Sequence, residues 1–146
     1  SPDEFDSDDK EAADKIKKLA DVVGELMEQN NLDKALKKIL EFSADFNQYF
    51  QHKEPWKKVQ NTNSCIYLSV NAVHSLAVAL FPFLPTSADK IWHQLNLKEK
   101  ILEQSWNSIS ELVIKPNYKL GEVFPLFKKV EESDIKNHKE KLGVSI

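Results

Sequence analysis

Residues 65–81, CIYLSVNAVHSLAVALF, decide the fold of this chain. When this segment is wound as a helix, apolar side chains cover almost every side of it, which predicts a helix that is buried on most of its surface. Asn63 or Ser64 is placed to cap its start, and prolines follow its end. A membrane span is the competing interpretation, but Asn71, His74 and two serines interrupt the segment. We therefore expect the central helix of a packed bundle.

Two amphipathic helices are predicted upstream of this segment. Apolar residues recur at helical spacing from about Asp9 to Gln29, and Asn30-Asn31 ends the pattern. Asp8 and Glu11 have the spacing of a capping box, so the acidic start of the chain is expected to serve mainly as a helix cap. A second helix is predicted from Leu32 to about Gln51.

Downstream of the central segment, the pattern predicts a shorter helix and then an irregular arm. Thr86 and Asp89 repeat the capping-box spacing and are expected to start the fourth helix. Residues 97–127 are less regular, with a short strand expected at residues 112–115 and an extended stretch at residues 124–127. A last helix of about ten residues is expected near Ser133 to Leu142.

These elements predict an all-α fold, an antiparallel helical bundle with an irregular C-terminal arm and a final short helix. The 146 residues suffice for one domain, spanning residues 1–146. The chain begins with Ser1 rather than methionine and shows no leader pattern, so we expect a fragment of a longer protein. Its single cysteine, Cys65, cannot form an internal disulfide, which favours a reducing, cytoplasmic setting.

The sequence carries no recognisable catalytic or metal-binding motif. With 3 glycines it lacks a phosphate loop, a dinucleotide-binding turn and a nucleophile elbow. None of its 4 histidines stands at zinc-ligand spacing from another histidine or from the cysteine. His74 lies within the apolar helix, where a hydrogen-bonded core imidazole is the favoured interpretation over a catalytic one.

The basic residues suggest contact with nucleic acid at one place. All 20 of them are lysines. The chain therefore has no arginine, whose planar guanidinium group can form paired hydrogen bonds to a base or a phosphate. Trp56 follows Pro55 at a helix terminus and is flanked by lysines, namely Lys53, Lys57 and Lys58. An exposed indole among lysines is typical of nucleic-acid binding, but on the residues alone the favoured explanation is that Trp56 packs between two helices.

Several motifs occur in an order that resembles a known family. Asn47-x-Tyr49 precedes Pro55-Trp56, and a proline-framed aromatic turn leads into a helix that ends in tryptophan. Together with the downstream motifs, the set resembles the helical anticodon-binding domain of the methionyl-tRNA synthetase family, in its archaeal type. The remaining motifs are Pro82-Phe83-Leu84-Pro85-x-x-Ala88-x-Lys90-Ile91-Trp92, Ser105-Trp106, Lys119-Leu120-Gly121 and Pro125-Leu126-Phe127-Lys128-Lys129-Val130-Glu131.

The resemblance implies part of a class I enzyme that joins methionine to its tRNA with ATP. This domain would bind the CAU anticodon, and Trp56 would stack on the first anticodon base, a cytosine. Asn47 and Tyr49 would support the pocket, and Trp92 and Trp106 would pack in the core or the arm. The family's two ATP-binding signatures, His-Ile-Gly-His and Lys-Met-Ser-Lys-Ser, are missing, so we expect no cofactor in this fragment and place ATP, with zinc as a further candidate, in an upstream catalytic domain.

Two alternatives stay open at this stage. The turn at Pro82–Pro85 also occurs in the related valine and isoleucine enzymes, whose anticodon-binding domains resemble this one. A helical protein-interaction module, with exposed aromatic residues and an acidic start, is the alternative from another class of function. The expected partners are therefore tRNA and the upstream domain of the same chain, and no membrane.

Overall fold

The computed structural model describes residues 4–57 and 62–116. This part of the chain folds into four α-helices without a strand, so the all-α bundle is confirmed. The helix and the extended stretch expected beyond residue 116 lie outside the described residues. The helices are α1 (Ser7–Glu28), α2 (Leu32–Lys53), α3 (Thr62–Leu80) and α4 (Pro85–Gln94), with 3-10 turns at Pro55–Lys57, Ile101–Glu103 and Trp106–Ser110.

Helices α1 and α2 run antiparallel because a tight turn joins them. Asn30 adopts a left-handed conformation with φ of 57°, which asparagine tolerates better than most residues. The backbone N–H of Asn31 donates to the carbonyl oxygen of Leu26 at 2.8 Å. The predicted stop at this pair of asparagines is confirmed, and the chain reverses so that the last turn of α2 meets the first turn of α1.

The start of α1 differs from the prediction. The capping box is formed by Asp6 and Asp9, whose side chains accept each other's backbone N–H groups at 3.0 and 3.1 Å. The predicted pair, Asp8 and Glu11, is exposed inside the helix. The reason is tertiary, because Asp9 is fully buried and its carboxylate contacts α2, so the helix starts two residues earlier than expected.

Helix α3 is the centre of the bundle, as predicted. Of its 19 residues, 15 are buried, since α1, α2 and α4 all pack against it. The helix has the length and composition of a membrane span, but 83% of that window lies inside the protein, as in a core helix. It begins at Thr62, so the expected caps Asn63 and Ser64 lie within its first turn.

The polar residues of α3 hold the irregular arm. The side-chain amide of Asn71 donates to the carbonyl oxygen of Ile114 at 3.1 Å, and its oxygen accepts the N–H of Ile114 at 2.8 Å. The hydroxyl of Ser75 donates to the carbonyl oxygen of Ile109. The predicted strand at residues 112–115 is wrong, and within this segment the backbone of Ile114 is bound by the side chain of Asn71 rather than by a neighbouring strand.

Helix α4 also begins differently from the prediction. Pro85 takes the first helical position and Leu84 precedes the helix without a side-chain cap. The predicted box of Thr86 and Asp89 is therefore wrong. Proline has no backbone N–H that would need a cap at the first helical position, and its ring fixes φ at a helical value. The first helical hydrogen bond runs from the N–H of Ala88 to the carbonyl oxygen of Leu84 at 2.9 Å.

Two tryptophans pack in the core and the arm, as predicted. Trp92 is 4% exposed, and its indole N–H donates to the carbonyl oxygen of Glu99 at 2.9 Å. Trp106 is half-buried, and its indole N–H donates to the carbonyl oxygen of Ala20 in α1 at 3.1 Å. Each indole N–H thus finds an acceptor when its ring is buried.

His74 is a core residue, as predicted, but its expected hydrogen bonds are not formed within the described part of the chain. The side chain is fully buried and both ring nitrogens lack a partner there. Its ring centroid lies 5.3 Å from that of Trp92. Burial lowers the pKa of His74 from 6.5 to about 4, and the side chain of Gln104, which lies nearby without a well-aligned hydrogen bond to the ring, opposes this shift only in part.

We expect His74 to make the fold sensitive to acid. Between pH 6.5 and about 4 the unfolded chain binds a proton at this position and the folded chain does not, so stability falls as the pH falls. The full loss is about 3 kcal/mol. Urea unfolding of the native chain and of His74→Leu should therefore show a shallower acid slope for the variant. Parallel slopes in the two proteins would contradict this assignment.

Gly24 should be coupled to Trp106. A Cβ at position 24 would lie 3.2 Å from the indole nitrogen of Trp106, so alanine would disturb the bond to Ala20. We expect Gly24→Ala to lower the free energy of unfolding by about 0.5–1 kcal/mol. In a Trp106→Leu background the same change should raise it by about 1 kcal/mol, the ordinary helix preference for alanine. Equal effects in both backgrounds, measured by urea unfolding, would exclude the coupling.

Candidate nucleic-acid interface

The 3-10 turn after α2 presents an indole at the surface. Trp56 is 46% exposed, which makes it far more accessible than the core ring of Trp92. Its ring centroid lies 6.1 Å from that of Phe50, and the two planes are inclined by 54°. Phe50, in the last turn of α2, and Pro55, the first residue of the 3-10 turn, are both buried. Because buried residues support one side of the indole, its position is defined although the ring is exposed.

The backbone that carries Trp56 turns sharply at Glu54. This residue caps the end of α2 in a left-handed conformation with φ of 47°, and its N–H donates to the carbonyl oxygen of Phe50. Pro55 disfavours a helical conformation in the residue before it, which explains why the helix ends here. The N–H of Lys57 donates to the carbonyl oxygen of Glu54 at 2.9 Å and closes the turn.

The lysines near Trp56 differ in accessibility. Lys57 is 57% exposed, and its ammonium lies 2.8 Å from the carboxylate of Glu54. A surface pair of this kind contributes little and exchanges readily for another anion. Lys53 is only 10% exposed, and its ammonium contacts Asp6 and Asp9. Lys58 lies outside the described residues.

Tyr49 and Lys53 are half-buried and meet the fully buried Asp9 in a polar cluster between α1 and α2. The hydroxyl of Tyr49 donates to the carboxylate of Asp9 at 2.6 Å, and the ammonium of Lys53 lies 2.9 Å from the same oxygen. Asn47 lies elsewhere on α2. It is half-buried and stands one helical turn before Phe50, so it shares the side of α2 that supports Trp56.

The ionisation of this cluster follows from its burial. Burial, together with the hydrogen bond to Asp9, raises the pKa of Tyr49 well above its usual value. Burial opposes the charge of Lys53, but its bonds to Asp6 and Asp9 outweigh that effect and raise its pKa. Burial raises the pKa of Cys65 to about 11. At neutral pH the phenol and the thiol are therefore protonated, and Lys53 is a cation.

This arrangement can bind a planar group. An indole supported from below can stack on a nucleobase, and Lys57 can contact a neighbouring phosphate. No group of metal-ligating side chains occurs among residues 4–57 and 62–116. Sequence reasoning missed the contribution of Asp9, Glu54 and Phe50. The sequence pattern identifies Asp9 only as the start of the first helix and places Phe50 within the second, and Pro55 is the local signal for the turn.

Comparison with known families assigns the class of protein. Residues 9–145 match the family described as the anticodon-binding domain of tRNA ligase. A match over nearly the whole chain, on a helical bundle with an exposed tryptophan at the end of its second helix, places the chain in that family.

The individual relatives are more specific. The chain is similar to the methionine–tRNA ligase of Pyrococcus horikoshii, with 36% identity over 90% of the chain and 18% of that protein. It is 34% identical to the methionine–tRNA ligase of Sulfolobus acidocaldarius over 88% of the chain and 23% of that protein. The match to the Saccharolobus solfataricus enzyme covers 97% of the chain and 26% of that protein, at 34% identity. The chain thus spans about a quarter or less of the curated relatives that it matches.

Replacing Glu54 with glycine should stabilise the turn. A side chain in the left-handed region costs about 1 kcal/mol that glycine avoids. We expect Glu54→Gly to raise the free energy of unfolding by about 1 kcal/mol relative to Glu54→Ala, its matched control. Both variants lose the surface ion pair with Lys57, and only the glycine relieves the backbone. Equal stabilities in chemical denaturation would show that the turn is unstrained.

Proposed function

We propose that this chain is the anticodon-reading part of a methionine–tRNA ligase. In that enzyme, a catalytic domain upstream in the parent protein would join methionine to tRNA with ATP. The chain itself would bind the tRNA with a CAU anticodon and would do no chemistry. Family membership and relatives named methionine–tRNA ligase support this proposal. A cytoplasmic setting belongs to the same proposal, and its support is the single buried thiol of Cys65.

The observation that carries the proposal is the exposed indole of Trp56, supported by Phe50 on a short closed turn. In the proposed complex, Trp56 stacks on the first anticodon base. Stacking on an aromatic side chain contributes about 1–3 kcal/mol per base and tolerates any base. Discrimination among bases therefore needs polar groups around the indole, and Asn47 is our candidate among the described residues because it stands one helical turn from Phe50.

The lysines have different parts in this proposal. Lys57 contacts phosphate, because it is exposed and its ion pair with Glu54 is weak. Lys58 is assigned to the same role from its place in the sequence. Lys53 and Tyr49 support the pocket from inside the bundle, since their polar groups are bound to Asp9. One stacking ring and two phosphate contacts would assist recognition and would leave affinity dependent on salt.

Removing the indole tests the proposal directly. We expect Trp56→Ala to weaken binding of an RNA hairpin with a CAU anticodon loop by about 5- to 150-fold, the range that follows from stacking energies of about 1–3 kcal/mol. The slope of log Kd against log salt should stay unchanged, because no phosphate contact is lost. Lys57→Ala should instead reduce that slope by about 0.7–1. Fluorescence anisotropy at several salt concentrations measures both quantities.

A matched control is provided by Leu102, an apolar side chain that is 75% exposed on another 3-10 turn. Leu102→Ala should leave hairpin affinity unchanged. If Trp56→Ala binds the hairpin as tightly as the native chain does, Trp56 is not the base-stacking residue. If the native chain shows no preference for the CAU hairpin over unrelated RNA, and no salt dependence, the protein-interaction alternative is favoured.

A further inference from the structure

Asp9 is the one fully buried charged residue in the described part of the chain. Its carboxylate lies in the first turn of α1 and accepts three hydrogen bonds. They come from the hydroxyl of Tyr49 at 2.6 Å, the ammonium of Lys53 at 2.9 Å and the backbone N–H of Asp6 at 3.1 Å. A buried carboxylate is strongly unfavourable unless such partners surround it.

Both side chains that approach Asp9 from the opposite helix belong to the C-terminal part of α2. Lys53 is the last residue of that helix, and the left-handed Glu54 and the turn with Trp56 follow directly. The end of α2 therefore cannot shift or fray without separating Lys53 from Asp9. Pro55 ends the helix, and the bond between Lys53 and Asp9 holds that end against α1, close to where the indole leaves the bundle.

A third helix, α3, contacts the same region. The turn that carries Trp56 packs on α3. The phenol of Tyr49 stays protonated and Lys53 stays charged at neutral pH, because the pKa of each is raised. The network is therefore intact under the conditions in which tRNA would bind.

We propose that Asp9 is a positioning residue for Trp56, acting through its bonds to Tyr49 and Lys53 on the end of α2. The inference rests on the proposed function, because it concerns the residue that would stack on the anticodon base. Asp9 itself contacts no RNA. Its contribution is to hold the helix end in one place, so that the exposed indole is ordered before the base arrives.

The test compares Asp9→Asn with Asp14→Asn in the 146-residue chain. Asp14 is the matched control, an exposed carboxylate on the same helix that pairs with Lys18 at 2.6 Å. We expect Asp9→Asn to weaken binding of the CAU hairpin about tenfold, within the range seen for coupled residues, and to leave the salt slope unchanged. Asp14→Asn should bind as the native chain does.

Two readouts separate positioning from a loss of stability. Acrylamide quenching of indole fluorescence, with the signal of Trp56→Phe subtracted, reports the surroundings of Trp56 and should change in Asp9→Asn. In a Trp56→Ala background, Asp9→Asn should cost less than about twofold in affinity, because coupled substitutions are not additive. Both are measured on folded protein, well below the unfolding temperature of each variant.

The outcomes are distinct. If Trp56→Ala weakens binding while Asp9→Asn lowers only the unfolding temperature, with unchanged quenching and affinity, the positioning role is overturned. If Trp56→Ala has no effect on binding, Trp56 is not the base-stacking residue, and the quenching measurement alone decides whether Asp9 orders the indole. The proposed function itself fails only if the native chain shows no preference for the CAU hairpin and no salt dependence. Should Asp9→Asn not fold, Tyr49→Phe removes only the hydroxyl that donates to Asp9, and the same results are expected of it.

Discussion

A helix that is apolar on almost every side must be covered on every side, and α3 imposes this requirement on the rest of the bundle. Helices α1, α2 and α4 each bury part of it, and the 3-10 turn Trp106–Ser110 covers another part. The free energy gained by removing this surface from water is the main stabilising term. The elements before and after α3 in the chain therefore pack against different sides of it.

Because α3 is buried, its polar side chains are buried with it. Some of them form hydrogen bonds to the arm and others do not. Asn71 and Ser75 bind the backbone of the arm, so the groups that would be costly in the core instead hold the irregular segment in place. His74 receives no such partner from the described residues and stays neutral. The same helix therefore carries both the anchor of the arm and a group that makes the fold sensitive to acid.

The candidate interface lies where three helices meet, which explains how an exposed ring can be well defined. Trp56 stands on a turn of three residues, too short to hold itself in place. Phe50 supports the ring, Glu54 turns the backbone, and Asp9 holds the helix end from the opposite helix. Pre-ordering of this kind reduces the entropy lost when a base binds, and it separates residues that contact RNA from residues that place them.

The sequence by itself determined the fold class, the course of the four helices and the family, because these depend on periodicity, proline punctuation and motif order. It also singled out Trp56, since a tryptophan after proline among lysines is a local signal. Only the tertiary structure decided which carboxylates cap α1, that residues 112–115 form no strand, and that Lys53 is bound within the bundle. Each of these depends on a partner far away in the chain, such as Asp9 for Lys53 or Asn71 for Ile114. Local pattern predicts which segments are helical and apolar, but it cannot say which buried polar groups will meet.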